Sequence, residues 1–138
     1  MSGISSQGVT ISRGDAASPE VFTVLAAVAD YSGPSADQPE LDVSDLSSTA
    51  KEFIAGLIDN GEVTLSLHWQ PDNATHVTML SDFDAGTISN WRVTWSDASP
   101  AKTWTFPAFV KSFVPTASVD SPLSGDVTLR VTGAVTRA

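Results

Sequence analysis

His68 and His76, with Asp72 between them, are the residues whose types could hold a metal ion. A zinc centre needs three or four ligands and further groups that orient them. The spacing does not supply them, because His68 falls on the outer face of an alternating stretch, Pro71 turns the chain, and His76 falls in the first turns of a possible helix. Both histidines are expected to be exposed, and no metal is expected. Asp82, Asp84 and Gly86 echo the opening of a calcium loop, yet the third acidic position is missing and no glutamate follows at the required distance. As a carboxylate pair for acid and base work, Asp82 and Asp84 have no flanking sequence that predicts a buried site. No serine lies in a nucleophile elbow, and there is no glycine-rich phosphate loop. Neither enzymatic activity nor a cofactor is therefore expected.

The elements that would carry these residues read mostly as strands. In EVTLSLHW, Val63, Leu65, Leu67 and Trp69 alternate with Glu62, Thr64, Ser66 and His68, the period of a half-buried strand. NWRVTW repeats the device with Trp91, Val93 and Trp95 inward. TWTF follows, and Pro107 is expected to confine that strand to an edge or a bulge. DVTLRVTGAVTR predicts one long strand near the carboxyl end. Weaker strand signals lie at 9–12, 21–29 and 108–116, the second too evenly apolar to assign its faces. One short helix is predicted in PDNATHVTMLSDFDAG, capped by Asp72 or Asn73 and closed by Gly86, with Ala74, Val77, Leu80 and Phe83 as its buried stripe.

A chain of 138 residues fits one domain. Its hydrophobic content of 41% and charged content of 17% are those of a folded protein. Sixteen acids against seven basic residues give a net charge of −9, which argues against a surface that neutralises phosphates or binds anionic lipid. Without cysteine there are neither disulfides nor thiolate metal sites. No membrane span and no leader peptide are apparent, so a soluble protein made in the cytosol is expected. The four tryptophans share faces with Val, Leu or Phe and read as core residues rather than as a sugar-binding platform.

The segment from about 30 to 61 stands apart. It is rich in Ser, Pro, Gly and Asp, and a loop of that length inside one domain is functional or disordered. Residues 30–62 hold half of the acids against Lys51 alone. Yet Leu41, Val43, Leu46, Phe53, Ile54, Leu57 and Ile58 are large and apolar, and something must cover them.

SSTAKEFIAGLIDNGEVTLSLHW, PDNATHVTMLSDFDAGT, NWRVTW, TWTFPAFVKSF and the closing SGDVTLRVTG run in order from about residue 41 to the end. In this order and spacing the chain resembles the major tail tube proteins of lambda-like, long-tailed bacteriophages. The resemblance implies a mainly β fold: an antiparallel β-sandwich or barrel with one short flanking helix and a long inter-strand loop. It also implies a single domain over 1–138, with an amino-terminal arm at about 1–8 and an assembly loop at about 30–61. Such proteins form rings of six that stack into a tube in the virion tail, assembled in the host cytoplasm. DNA passes through the tube without tight binding, and the tape measure, tail tip and terminator proteins are partners.

In such a ring the seven apolar loop residues would pack against other copies, and edge strands would be satisfied by side-by-side addition. Outward acids, Glu62 among them, are candidates to face the lumen. Arg13, Lys102, Lys111, Arg130 and Arg137 are the cations available to the acidic loop across subunit boundaries. Two other readings compete: a tail terminator, or a secreted carbohydrate-binding or adhesion module of the β-sandwich class.

Overall fold

A computed structural model describes residues 8–15, 19–96, 98 and 100–138. The proposed arm at 1–8 lies almost wholly outside them. Strands β1 (Thr10–Gly14), β2 (Phe22–Val24) and β3 (Val28–Ser32) are followed by a small hairpin of β4 (Glu40–Asp42) and β5 (Phe53–Ala55). Then come β6 (Glu62–His68), helix α1 (Ala74–Ala85), β7 (Ser89–Trp95), β8 (Lys102–Thr116), β9 (Ser124–Val131) and β10 (Thr136–Arg137).

Eight strands form one antiparallel sheet in the order β2-β1-β7-β8-β9-β6-β3, with β10 paired to β8. The outermost strands are the consecutive β2 and β3, and only Leu25, Ala26 and Ala27 separate them. Laid flat, seven strands would put them roughly 29 Å apart. The four steps from Val24 to Val28 reach about 14 Å at most. The sheet must therefore curl until its ends meet, and backbone bonds from Leu25 N–H to the Ile11 carbonyl (2.7 Å) and from His68 N–H to the Ala27 carbonyl (2.9 Å) tie the connection to both sides. Ala27 turns the chain at φ 58°. The evenly apolar stretch 21–29 is thus two strands and a sharp turn.

Alternation set the core as expected. Val63, Leu65, Leu67, Val127 and Leu129 are fully buried, joined by Ile11, Trp91, Val93, Phe106 and Met79. Trp69 packs edge-on against Phe113, and Trp95 against Trp104, so the aromatic rings pack on one another rather than forming an open platform.

Four expectations are corrected. Pro107 does not limit its strand, because β8 runs through it for 15 residues. Residues 102–108 pair with β7 and residues 108–116 with β9, so β8 belongs to both layers of the curled sheet. The Pro107 carbonyl accepts from Thr132 N–H (2.9 Å). In extended chain a residue's N–H lies on the same side as its carbonyl, so the missing donor falls where β9 departs and β10 has yet to begin. The carboxyl-terminal strand is likewise interrupted: Gly133 at φ 98° breaks it into β9 and β10.

Helix α1 begins and ends as predicted, with Asn73 Oδ1 accepting from Thr75 N–H and Gly86 closing it at φ 66°. Its buried face is nevertheless His76, Met79 and Asp82, with Leu80 half-buried, while Ala74, Val77 and Phe83 are exposed. Polar clasps chose that face. Arg13 chelates Asp82, with Nη2 at 2.8 Å from Oδ1. Thr75 Oγ1 accepts from Ala26 N–H. His76 is fully buried, contrary to expectation: its Nδ1 accepts from Gln70 N–H (3.0 Å), which leaves Nε2 to donate to the Ala26 carbonyl (2.6 Å). The helix thereby locks the connection that closes the barrel.

Candidate assembly interface

The long loop forms an arm that carries the β4–β5 hairpin. Its root is pinned beside β6: Asp37 and Asp59 exchange both backbone bonds (2.8 Å each), and Ser35 N–H reaches the Glu62 carbonyl (3.3 Å). Asn60 Nδ2 donates to the Gly133 carbonyl at 2.7 Å. Gly61 sits at φ 69°, and a Cβ there would lie 2.3 Å from the Ser35 carbonyl oxygen, so the root admits only glycine. The Asp59 carboxylate accepts from Gly61 N–H and pairs with Arg130 at 3.0 Å, and both interactions hold its pKa below the ordinary aspartate value.

Beyond the root, β4 and β5 pair as Glu40 with Ala55, Leu41 with Ile54 and Asp42 with Phe53. The tip closes on local bonds, with Val43 N–H to the Glu52 carbonyl (2.9 Å) and Glu52 N–H to Ser44 Oγ (2.7 Å). Asp42 accepts from the Ser44 backbone N–H, and Asp45 from the hydroxyl and then the backbone of Ser47. These bonds lower both carboxyl pKa values.

What the arm lacks is cover. All seven apolar residues singled out in the sequence are exposed, from Val43 at 44% to Leu57 at 91% and Leu46 completely. Among the described strands, β4 and β5 pair only with each other. A two-stranded hairpin without a packed face is marginal in water, and contiguous exposed apolar side chains mark an interaction surface.

The layer β8-β9-β6-β3 carries the second relevant feature. Among the described strands, none pairs with the outer edge of β3, nor with β8 beyond Ala108 on its β7 side. Across this layer the outward registers align: Ser32, Thr64, Thr128 and Ser112 form one row of hydroxyls, and Asp30, Ser66, Asp126 and Val114 the next. Glu62 lies on the same face, half-buried and paired with Lys111 Nζ at 2.5 Å. Lys111 is thus engaged within its own chain, as are Arg130 with Asp59, Arg13 with Asp82, and Arg137 over the Trp104 ring at 4.5 Å. The alternation of β6 identified Glu62 as outward, but the row of Asp30 and Asp126 required the registers of two strand pairs, β3 with β6 and β6 with β9.

No catalytic arrangement accompanies these surfaces among the described residues. They hold no cluster of three or more metal-ligating side chains. His68 lies on an exposed strand face, His76 is consumed by the Ala26 clasp, and Asp82 by Arg13. Among the described residues no helix is long and apolar enough to cross a membrane.

Known proteins place these features in context. The family described as "Phage tail tube, TTP, lambda-like" matches residues 2–138. Structural protein 3 of Pseudomonas phage PAJU2 is 30% identical over 87 residues, covering 62% of this chain. The chain spans about half (53%) of that relative's length. Among solved structures, the tail of an empty gene transfer agent particle, refined with C6 symmetry, superposes with a TM-score of 0.79 at 17% identity, covering 97% of this chain and 98% of that one. The SPP1 tail tube gives 0.73 at 13% identity over 98% and 78%. The tube-terminating cap of the anti-feeding prophage gives 0.75 at 16% over 100% and 92%. At these identities the likeness is one of fold, and tubes and caps share it.

Proposed function

The chain belongs to the lambda-like phage tail tube family, a family of structural proteins of the virion tail, and from that premise we propose how it builds the tube. Copies add side by side, the β3 edge of one beside the distal β8 edge of the next, and the resulting rings stack. Strand parity supports this arrangement: β8, β9, β6 and β3 alternate in direction, and four is even, so β3 meets the neighbour's β8 antiparallel in every copy of a rotational ring. Six copies suit the relatives' sixfold tail. The arm, whose apolar residues its own chain leaves bare, is the contact to other copies, and this uncovered arm is the single observation that carries the reading.

The hydroxyl and carboxylate rows face the lumen. Continued around a ring they give a wall of short side chains, polar except for Val114, with Asp30 and Asp126 repeating, which offers a passing duplex no tight phosphate contact. Glu62, neutralised by Lys111, contributes less to that wall than those two acids. The tape measure, tail tip and terminator proteins are the partners of such a tube, assembled in the host cytoplasm, and no reaction is catalysed. A carbohydrate-binding or adhesion module is not favoured, since the family is one of tail tubes and the described tryptophans are buried or packed on other rings.

Negative-stain images of the concentrated protein test this reading. Rings or tubes with a continuous bore are expected. A monomer at every concentration, with amide protons of residues 41–58 protected from exchange, would contradict it.

A further inference from the structure

A groove of about 650 Å³ opens at the root of the arm, between Leu57 and Ile58 on one wall and Val135 on the other, with Phe109 and the cations Arg130 and Arg137 alongside. It exists because the chain leaves β9 at Val131 and crosses at Gly133 to pair as β10 with the start of β8, so a gap remains between arm and crossover. Leu57 and Ile58 are 91% and 56% exposed. With Asp59 included, the groove carries one net positive charge.

At the opposite end of the same layer, β8 and β9 are joined by residues 117–123. Ser121 N–H bonds the Ser118 carbonyl, which places Val119 and Asp120 at the apex of a turn, with Asp120 at φ 65°. Aspartate is among the few residues that accept that conformation readily. Val119 is 90% exposed. The apex thus offers one apolar knob beside one carboxylate. The groove lies near Glu62 and the apex beyond His68, where Ser124 pairs, so the two are separated by the length of β6, about 20 Å along the strands.

We propose that this groove receives the Val119–Asp120 apex of a copy in the adjacent ring, Val119 entering between Leu57, Phe109 and Val135 while Asp120 meets Arg137, Arg130 being already paired with Asp59. An apolar knob with a negative charge and an apolar socket with a positive one, at opposite ends of one body, generate an open head-to-tail stack rather than a closed pair. This inference rests on the ring-and-stack reading and adds the contact that joins ring to ring.

Val119→Asp and Leu57→Asp test it, each at an exposed site, with unchanged thermal melts as the folding control. Alone, each variant is expected to form rings as the wild type does but tubes only at a concentration raised about tenfold or more. Added to wild-type tubes, labelled Val119→Asp protein should cap one end and Leu57→Asp protein the other, and a mixture of the two should stop at paired rings. Val119→Asp protein that forms tubes at the wild-type concentration, or fails to form rings, overturns the socket assignment and leaves the tube assignment standing. One-ended capping by Leu46→Asp in place of Val119→Asp overturns it too, and assigns the groove to the arm tip. Wild-type protein that forms neither rings nor tubes contradicts the functional reading itself.

Discussion

Replacing Phe53 by threonine should separate folding from assembly. Phe53 lies opposite Asp42 in the arm, so an aspartate there would add like-charge repulsion within the hairpin, whereas threonine keeps strand propensity. The ring is 50% exposed and lies outside the core. A phenylalanine covers roughly 200 Å² when buried, which leaves about 100 Å² for a neighbouring copy to cover. At about 25 cal/mol/Å² that contact contributes about 2.5 kcal/mol, of which threonine retains a small part. A loss of about 2 kcal/mol weakens each contact about 30-fold. Since every copy in a tube bears it, the concentration at which rings and tubes first appear should rise by at least that factor. The isolated subunit should lose no more than about 0.5 kcal/mol. Sedimentation velocity across a concentration series, negative-stain images and a thermal melt measure both quantities. Assembly at the wild-type concentration, or a melting midpoint lowered by more than about 4 °C, would refute the reasoning.

Gly61→Ala places a Cβ against the Ser35 carbonyl at a positive φ, so it should cost at least about 1 kcal/mol and show faster amide exchange at Ser35 and Asp37 before the barrel is affected. Asp82→Ala strands a largely buried Arg13 and should destabilise the fold by about 3 kcal/mol, whereas the paired change Arg13→Met with Asp82→Leu should recover most of it in a denaturant titration. Asp42 and Asp45 carry pKa values lowered mainly by Ser44 and Ser47. A carboxyl whose pKa falls on folding contributes stability that is complete above the ordinary value of 3.8 and disappears as pH drops through the folded value. The NMR shifts of the Ser44 and Ser47 amides should therefore titrate with midpoints below the ordinary aspartate value of 3.8.

Local alternation carried most of this fold. The inward residues of β6, β7 and β9 were legible because period-two burial depends on the neighbours of each residue along one strand and on little else. The caps of α1 were legible for the same reason, since Asn73 and Gly86 act within a turn of themselves. The seven apolar residues of the arm were also recognisable as surplus, because a segment so rich in turn residues cannot bury them unaided. Tertiary structure alone decided which face of α1 turned inward, since Arg13 on β1 and the Ala26 carbonyl in the β2–β3 connection lie more than forty residues away and outweighed Val77 and Phe83. It alone let Pro107 stand inside a 15-residue strand, where a gap between two partner strands excuses the missing donor. The pairing registers that align Asp30 with Asp126, and the placing of Val119 and the Leu57 groove at opposite ends, are likewise properties of strands meeting in space. No single strand's pattern holds that information, because a register is a relation between two segments and alternation describes only one.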